Sequence, residues 1–142
     1  MLDLDMVMLT TGESLDEDGN PIPGTGFEYE SDGHVAELLA QRTSPLLYSP
    51  AQGEWAWVIP SGSNKEIERV VAVCPTGNKG PQYHYHPIFD EHFKVASGSF
   101  VLKVDGEDVT LNEGQDILAK KGTNHTFRAC LLYTSPSPRD MT

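Results

Sequence analysis

Three histidines and a glutamate lie at a spacing that can close around one metal ion: His84, His86, Glu91 and His125, in a stretch holding four of the chain's five histidines. Imidazole nitrogens with one carboxylate suit divalent iron, manganese, nickel, copper or zinc, and geometry rather than raw affinity selects among them. Four protein donors leave about two positions free on an ion that prefers six, room for a bidentate substrate or for a substrate oxygen beside dioxygen. The ion keeps a net positive charge in such a set, which favours anionic or enolate-forming ligands and permits Lewis-acid polarisation. Glu91 is also the candidate catalytic residue, because a carboxylate that loosens from a metal can accept a substrate proton.

Strands must position these groups. Side chains alternate across a strand, so His84 and His86, in a strand predicted over 82–86, point the same way. Pro87, Phe89 and Asp90 interrupt that strand, after which Glu91, Phe93 and Val95 share one face of the next. His125 follows the Gly122-Thr123-Asn124 turn and opens a β-like run through Arg128 that brings a third imidazole to the same point. His92, beside Glu91, points away from the site and is expected at the surface or in packing around it. Tyr83 and Tyr85 share the face opposite the two histidines and are expected to pack against the other sheet or a subunit. Trp55 and Trp57 read as core or dimer contact, and Lys120 and Lys121 as exposed hairpin lysines.

The stretch Asn78–Ala129 resembles both signature motifs of the cupin superfamily. The first motif runs glycine, five residues, His-x-His, three or four residues, Glu, six residues, glycine; His84, His86, Glu91 and Gly98 fit it. Asn78 takes the place of the leading glycine, with Gly77 and Gly80 close by. Gly114, Gly122 and His125 fit the second motif, in which Lys120 stands where proline is expected and Ala129 where asparagine is expected. The resemblance implies an all-β fold, a small jelly-roll barrel, with His84, His86, Glu91 and His125 as ligands of one divalent transition metal. Iron or manganese is the preferred reading, with nickel, copper and zinc open. It implies a wide functional menu, since fold does not select chemistry. The leading expectation is a mononuclear metal-dependent, dioxygenase-like oxidoreductase acting on a small organic substrate. The alternatives are a non-catalytic small-ligand-binding module and a sugar isomerase or epimerase.

The remaining sequence frames this site. Strand-like runs at 55–59, 67–74, 92–96, 99–104, 108–111 and 116–119 carry period-2 patterning, and Asp105-Gly106 supplies a two-residue hairpin turn. One or two helical turns are expected over 35–42, capped by Ser31 or Asp32. Residues 1–33 read as an acidic extended or disordered arm, 34–129 as the single barrel domain, and 130–142 as an artefactual tail. Cys130–Asp140, CLLYTSPSPRD, looks like a translated sequencing-library adapter, which would leave the barrel truncated at its C-terminal strands.

The net charge is −11, and nine of the 21 acidic residues fall within the first 32 positions, where no basic residue occurs. Nucleic acid and anionic membrane surfaces are disfavoured as partners, since both would repel an acidic chain. The expected partner is a small-molecule substrate or ligand, with a homodimer as an open option. Cys74 reads as a buried inert thiol. Without a basic n-region or a long apolar run, a cytoplasmic location is the default expectation.

Overall fold

A computed structural model describes residues 3–11, 33–63, 66–75 and 78–130. Nine strands and one helix occur among them: β1 (Asp3–Thr11), α1 (His34–Ala40), β2 (Leu47–Ser49), β3 (Glu54–Ile59), β4 (Ile67–Pro75), β5 (Glu91–Ser97), β6 (Ser99–Val104), β7 (Glu107–Asn112), β8 (Asp116–Ala119) and β9 (His125–Ala129). They form a six-stranded sheet ordered β2-β3-β4-β1-β5-β8 and a three-stranded sheet ordered β7-β6-β9. This two-sheet, nearly all-β architecture agrees with the expected jelly roll.

Alternation along the strands sorts the core into two layers. Between the sheets pack Met6, Met8, Cys74, Phe93 and Val95 of the larger sheet against Phe100, Leu102, Leu111 and Phe127 of the smaller. On the outer face of the larger sheet, Leu9, Trp55, Trp57, Ile59, Val71 and Val73 pack beneath Val35 and Leu39 of α1. The indole N–H of Trp57 donates to the Leu38 carbonyl at 3.0 Å, tying the helix down. Trp55 and Trp57 are therefore core, and Cys74 is fully buried as expected.

Several expectations need correction. Residues 3–11 are not part of an extended arm: they form β1, at the middle of the larger sheet and parallel to both β4 and β5. A strand buried on both faces shows a continuous apolar run, here Met6-Val7-Met8-Leu9, rather than alternation, and the flanking acids obscured it. The rest of the acidic segment, residues 12–32, and the tail beyond Cys130 lie outside the described residues. The helix begins one residue earlier than expected and its N-cap is Gly33, with no side-chain cap. The strand expected over 82–86 is reduced to a single bridge, His84 to His125, because Pro81 and Pro87 bracket a segment that follows β9 only there. Tyr83 and Tyr85 are not buried between the sheets but are 45% and 56% exposed. Tyr83 lies along the edge of the smaller sheet, its hydroxyl accepting the Gly106 N–H at 2.9 Å and its ring beneath Lys103 Nζ at 5.6 Å. Among the described residues no helix is long and apolar enough to cross a membrane.

Candidate metal centre

Two short backbone devices bring the four donors together. His84 and His125 exchange both backbone hydrogen bonds, His84 N–H to His125 O at 3.1 Å and His125 N–H to His84 O at 2.6 Å, so the two halves of the site are zipped directly. The Lys120–Thr123 turn closes through the Thr123 N–H to the Lys120 carbonyl at 3.0 Å. Gly122 occupies its third position with φ +83°, a backbone conformation open to glycine. That turn is pinned from outside by Gly122 N–H to the His86 carbonyl at 2.8 Å and by Lys121 N–H to Asp90 Oδ1 at 2.9 Å. These bonds supply the rigidity that the absent proline at position 120 would otherwise give.

The donor atoms of His84, His86, Glu91 and His125 all lie within 4.8 Å of one another. Glu91 Oε1 is 2.9 Å from both His86 Nε2 and His125 Nε2, and the His84 and His86 Nε2 atoms are 3.2 Å apart. His125 and Glu91 form the buried floor, and His84 and His86 are half-buried toward the opening.

The second nitrogen of two rings decides what the first can do. His84 Nδ1 faces the Gln82 carbonyl, and His125 Nδ1 faces the Thr123 carbonyl at 3.1 Å. A carbonyl only accepts, so each Nδ1 carries the proton, and in the neutral ring Nε2 presents a lone pair to the centre. Convergent imidazole lone pairs around one carboxylate fit a divalent cation, whose charge would offset their mutual crowding. Burial, reinforced by His84 and His125, holds His86 below the usual histidine range despite the Glu91 carboxylate. Burial alone would also lower His125, but its bonds to Glu91 and to the Thr123 carbonyl, with the Glu91 charge, outweigh that and raise it.

Residues 70–130 match the family model described as "Cupin domain". This stretch is a cupin domain. A 42-residue stretch is 36% identical to the tetracenomycin polyketide synthase protein TcmJ of Streptomyces glaucescens, covering 30% of this chain and 28% of that protein. No solved structure matches the chain significantly.

The cupin motifs are satisfied in an altered way. Asn78, which replaces the leading glycine, is 3% exposed; its Oδ1 accepts the Ala129 N–H at 2.7 Å and its Nδ2 donates to the Gln52 carbonyl at 3.0 Å. Ala129 is the position where the motif expects asparagine. The two departures thus meet in space, and the amide missing at 129 is provided from 78. Gly80 takes the close approach: a Cβ there would sit 1.9 Å from the Phe127 carbonyl oxygen.

All four expected ligands come together, while His92 faces outward as anticipated. It bridges Asp5 Oδ1 at 2.9 Å and Asp116 Oδ2 at 2.7 Å, and Asp5 also accepts from Arg69 Nε at 2.8 Å. The sequence reading overlooked Glu54, a buried carboxyl on β3. A usable signal existed: it opens a run in which Trp55, Trp57 and Ile59 claim one face, leaving Glu54 with Ala56 and Val58 on the other.

Proposed function

We propose that this cupin is a mononuclear metal-dependent oxidoreductase of the dioxygenase type, acting on a small organic substrate, with His84, His86, Glu91 and His125 holding iron or manganese. The observation that carries the reading is the convergence of three Nε2 atoms on one buried carboxylate, with the outer nitrogens of His84 and His125 committed to backbone carbonyls. When bound, such an ion would supply Lewis acidity toward a substrate oxygen and redox chemistry toward dioxygen.

The protein's own part is to orient and to exclude water. His125 and Glu91 close the floor, and Phe93, 5.5 Å from the His125 ring and from Phe127, makes the wall beneath them apolar. Phe89 stacks on His86 at 4.3 Å and fixes that ring at the more open side. Glu91 is the residue proposed to take a substrate proton, since its Oε1 lies at the meeting point of two imidazoles. The partial likeness to a polyketide synthase protein supports an oxygen-rich small molecule as the substrate class.

The test is oxygen uptake by iron-loaded protein against a panel of catechols, thiols and β-diketones, with metal content measured alongside, in the wild type and in His86→Ala. Uptake that requires iron and vanishes in the variant supports the enzyme. Tight binding of a panel member to metal-loaded protein without turnover reassigns the chain to the binding-module class.

A further inference from the structure

We propose that Glu54 is the polar anchor of the interior, taking a hydroxyl of the small molecule whose other end is presented to the His84-His86-Glu91-His125 centre. The inference rests on reading that cluster as the metal centre, and it names the substrate class: a neutral hydroxylated molecule with a metal-binding oxygen at its opposite end.

Three observations meet at this residue. Glu54 is only 7% exposed, and the alternation of β3 turns it inward, away from the Trp55-Trp57-Ile59 layer under α1. Its surroundings there are apolar: Ala56 and Val58 share its face, and the neighbouring inward residue of β4 is the fully buried thiol of Cys74. Finally, Glu54 Oε1 has no hydrogen-bond partner. A buried carboxyl oxygen without a partner carries a desolvation cost that nothing in the protein offsets, so the position is built for a group that arrives from outside.

The chemistry of that group follows from the carboxyl's own state. Burial, with the Glu91 carboxylate adding to it, pushes Glu54 up to about 7. Near neutral pH it therefore exchanges between carboxylic acid and carboxylate. A hydroxyl accepts from the first and donates to the second, whereas an anionic group at this end of the molecule would be repelled by the carboxylate form of Glu54. Leucine would pack the same face without the desolvation cost, so the carboxyl is a binding feature rather than a stability feature.

The experiment uses the full chain loaded with cobalt(II), whose visible bands report directly on ligands entering the metal's coordination. Two isosteric probes are titrated, 4-(hydroxymethyl)catechol and 4-ethylcatechol, into the wild type, Glu54→Gln and Glu54→Leu, with cobalt content measured in each. The expected result is about a tenfold preference of the wild type for the hydroxymethyl probe, the worth of one buried hydrogen bond, lost in Glu54→Leu and partly kept in Glu54→Gln. An infrared carboxyl band that is missing from Glu54→Gln should shift in the wild type with the hydroxymethyl probe and stay put with the ethyl one. Equal affinity for the two probes in the cobalt-loaded wild type, or an undiminished preference in Glu54→Leu, overturns the role of Glu54 while leaving the metal centre standing. A wild type that takes up no cobalt overturns the metal centre itself, and the anchor with it.

Discussion

Glu91 and His92 are neighbours in β5, yet they belong to two polar clusters of opposite character on the two faces of one sheet. On the inner face three imidazoles crowd one carboxylate, and their nitrogens point at one another. On the outer face one imidazole lies between two carboxylates, and Arg69, Asp5, His92 and Asp116 form a ladder across β4, β1, β5 and β8 in which every member named has an oppositely charged or hydrogen-bonding neighbour. The difference shows how a ligand site is told from a structural one. The ladder is complete as it stands, whereas the inner cluster has donors left over, and that surplus of lone pairs is what a cation would use.

The sharpest way to break this contrast is to remove one histidine from each face. His125→Ala should weaken iron or manganese binding by more than about 100-fold, beyond the effect typical of residues that merely support a ligand. His92→Ala should leave metal stoichiometry unchanged. Elemental analysis after dialysis against a competing chelator checks both, and equal metal loss in the two variants would erase the distinction between the faces.

Asn78 tests whether the inner cluster depends on the amide that reaches across to β9. Asn78→Ala removes two hydrogen bonds and strands the buried Ala129 N–H, so a loss of roughly 2–4 kcal/mol in urea unfolding is expected. Glu54 sharpens the contrast in a third way, because it is an inner carboxyl whose Oε1 has no hydrogen-bond partner. Its folded pKa of about 7 lies above the ordinary 4.5, so stability falls as pH rises from about 4.5 and levels off above about 7. Metal-free Glu54→Gln should therefore be the more stable protein at pH 8, by up to roughly 3 kcal/mol, with the gap closing on acidification.

The smallest effect belongs to the outer ladder. Burial would lower His92, but hydrogen bonds to Asp116 and Asp5 and their charges hold it above the usual range. Its contribution is thus complete below its unfolded value near 6.5 and lost as pH rises through the folded one. Burial would raise Asp5, but His92 and Arg69 outweigh that and hold it low, so its contribution is lost only on strong acidification. Asp116→Asn should cost less than about 1 kcal/mol, given the solvent exposure of this pair, with the loss greatest in mildly acid buffer and absent in alkaline buffer. Thermal melts across that range check the sign.

The site was legible in the sequence because its parts are local. His84 and His86 needed only strand-like alternation, Glu91 only a restart on the same face, and His125 only the glycine turn before it. What escaped was set by contacts distant along the chain. β1 looked like a charged arm because both of its partners lie more than 50 residues away, and only their pairing explains Met6-Val7-Met8-Leu9. The Asn78–Ala129 exchange reads as two unrelated departures until the fold places them side by side. Glu54 lies just before the expected 55–59 run; alternation puts it on the face opposite Trp55 and Trp57, but only the packing of those indoles beneath α1 fixes that face as the inner one.

The position of β1 also dictates an order of events during synthesis. The strand leaves the ribosome before β4 and β5, and these two hydrogen-bonding neighbours are complete only after Pro75 and Ser97 have been made. Until then an apolar segment waits with both edges open, an invitation to mispairing with another nascent chain. A fragment starting after residue 11 would retain all four metal donors but leave a strand-wide gap between β4 and β5. The ligands lie between His84 and His125, but the sheet that carries Glu91 is completed by Asp3–Thr11.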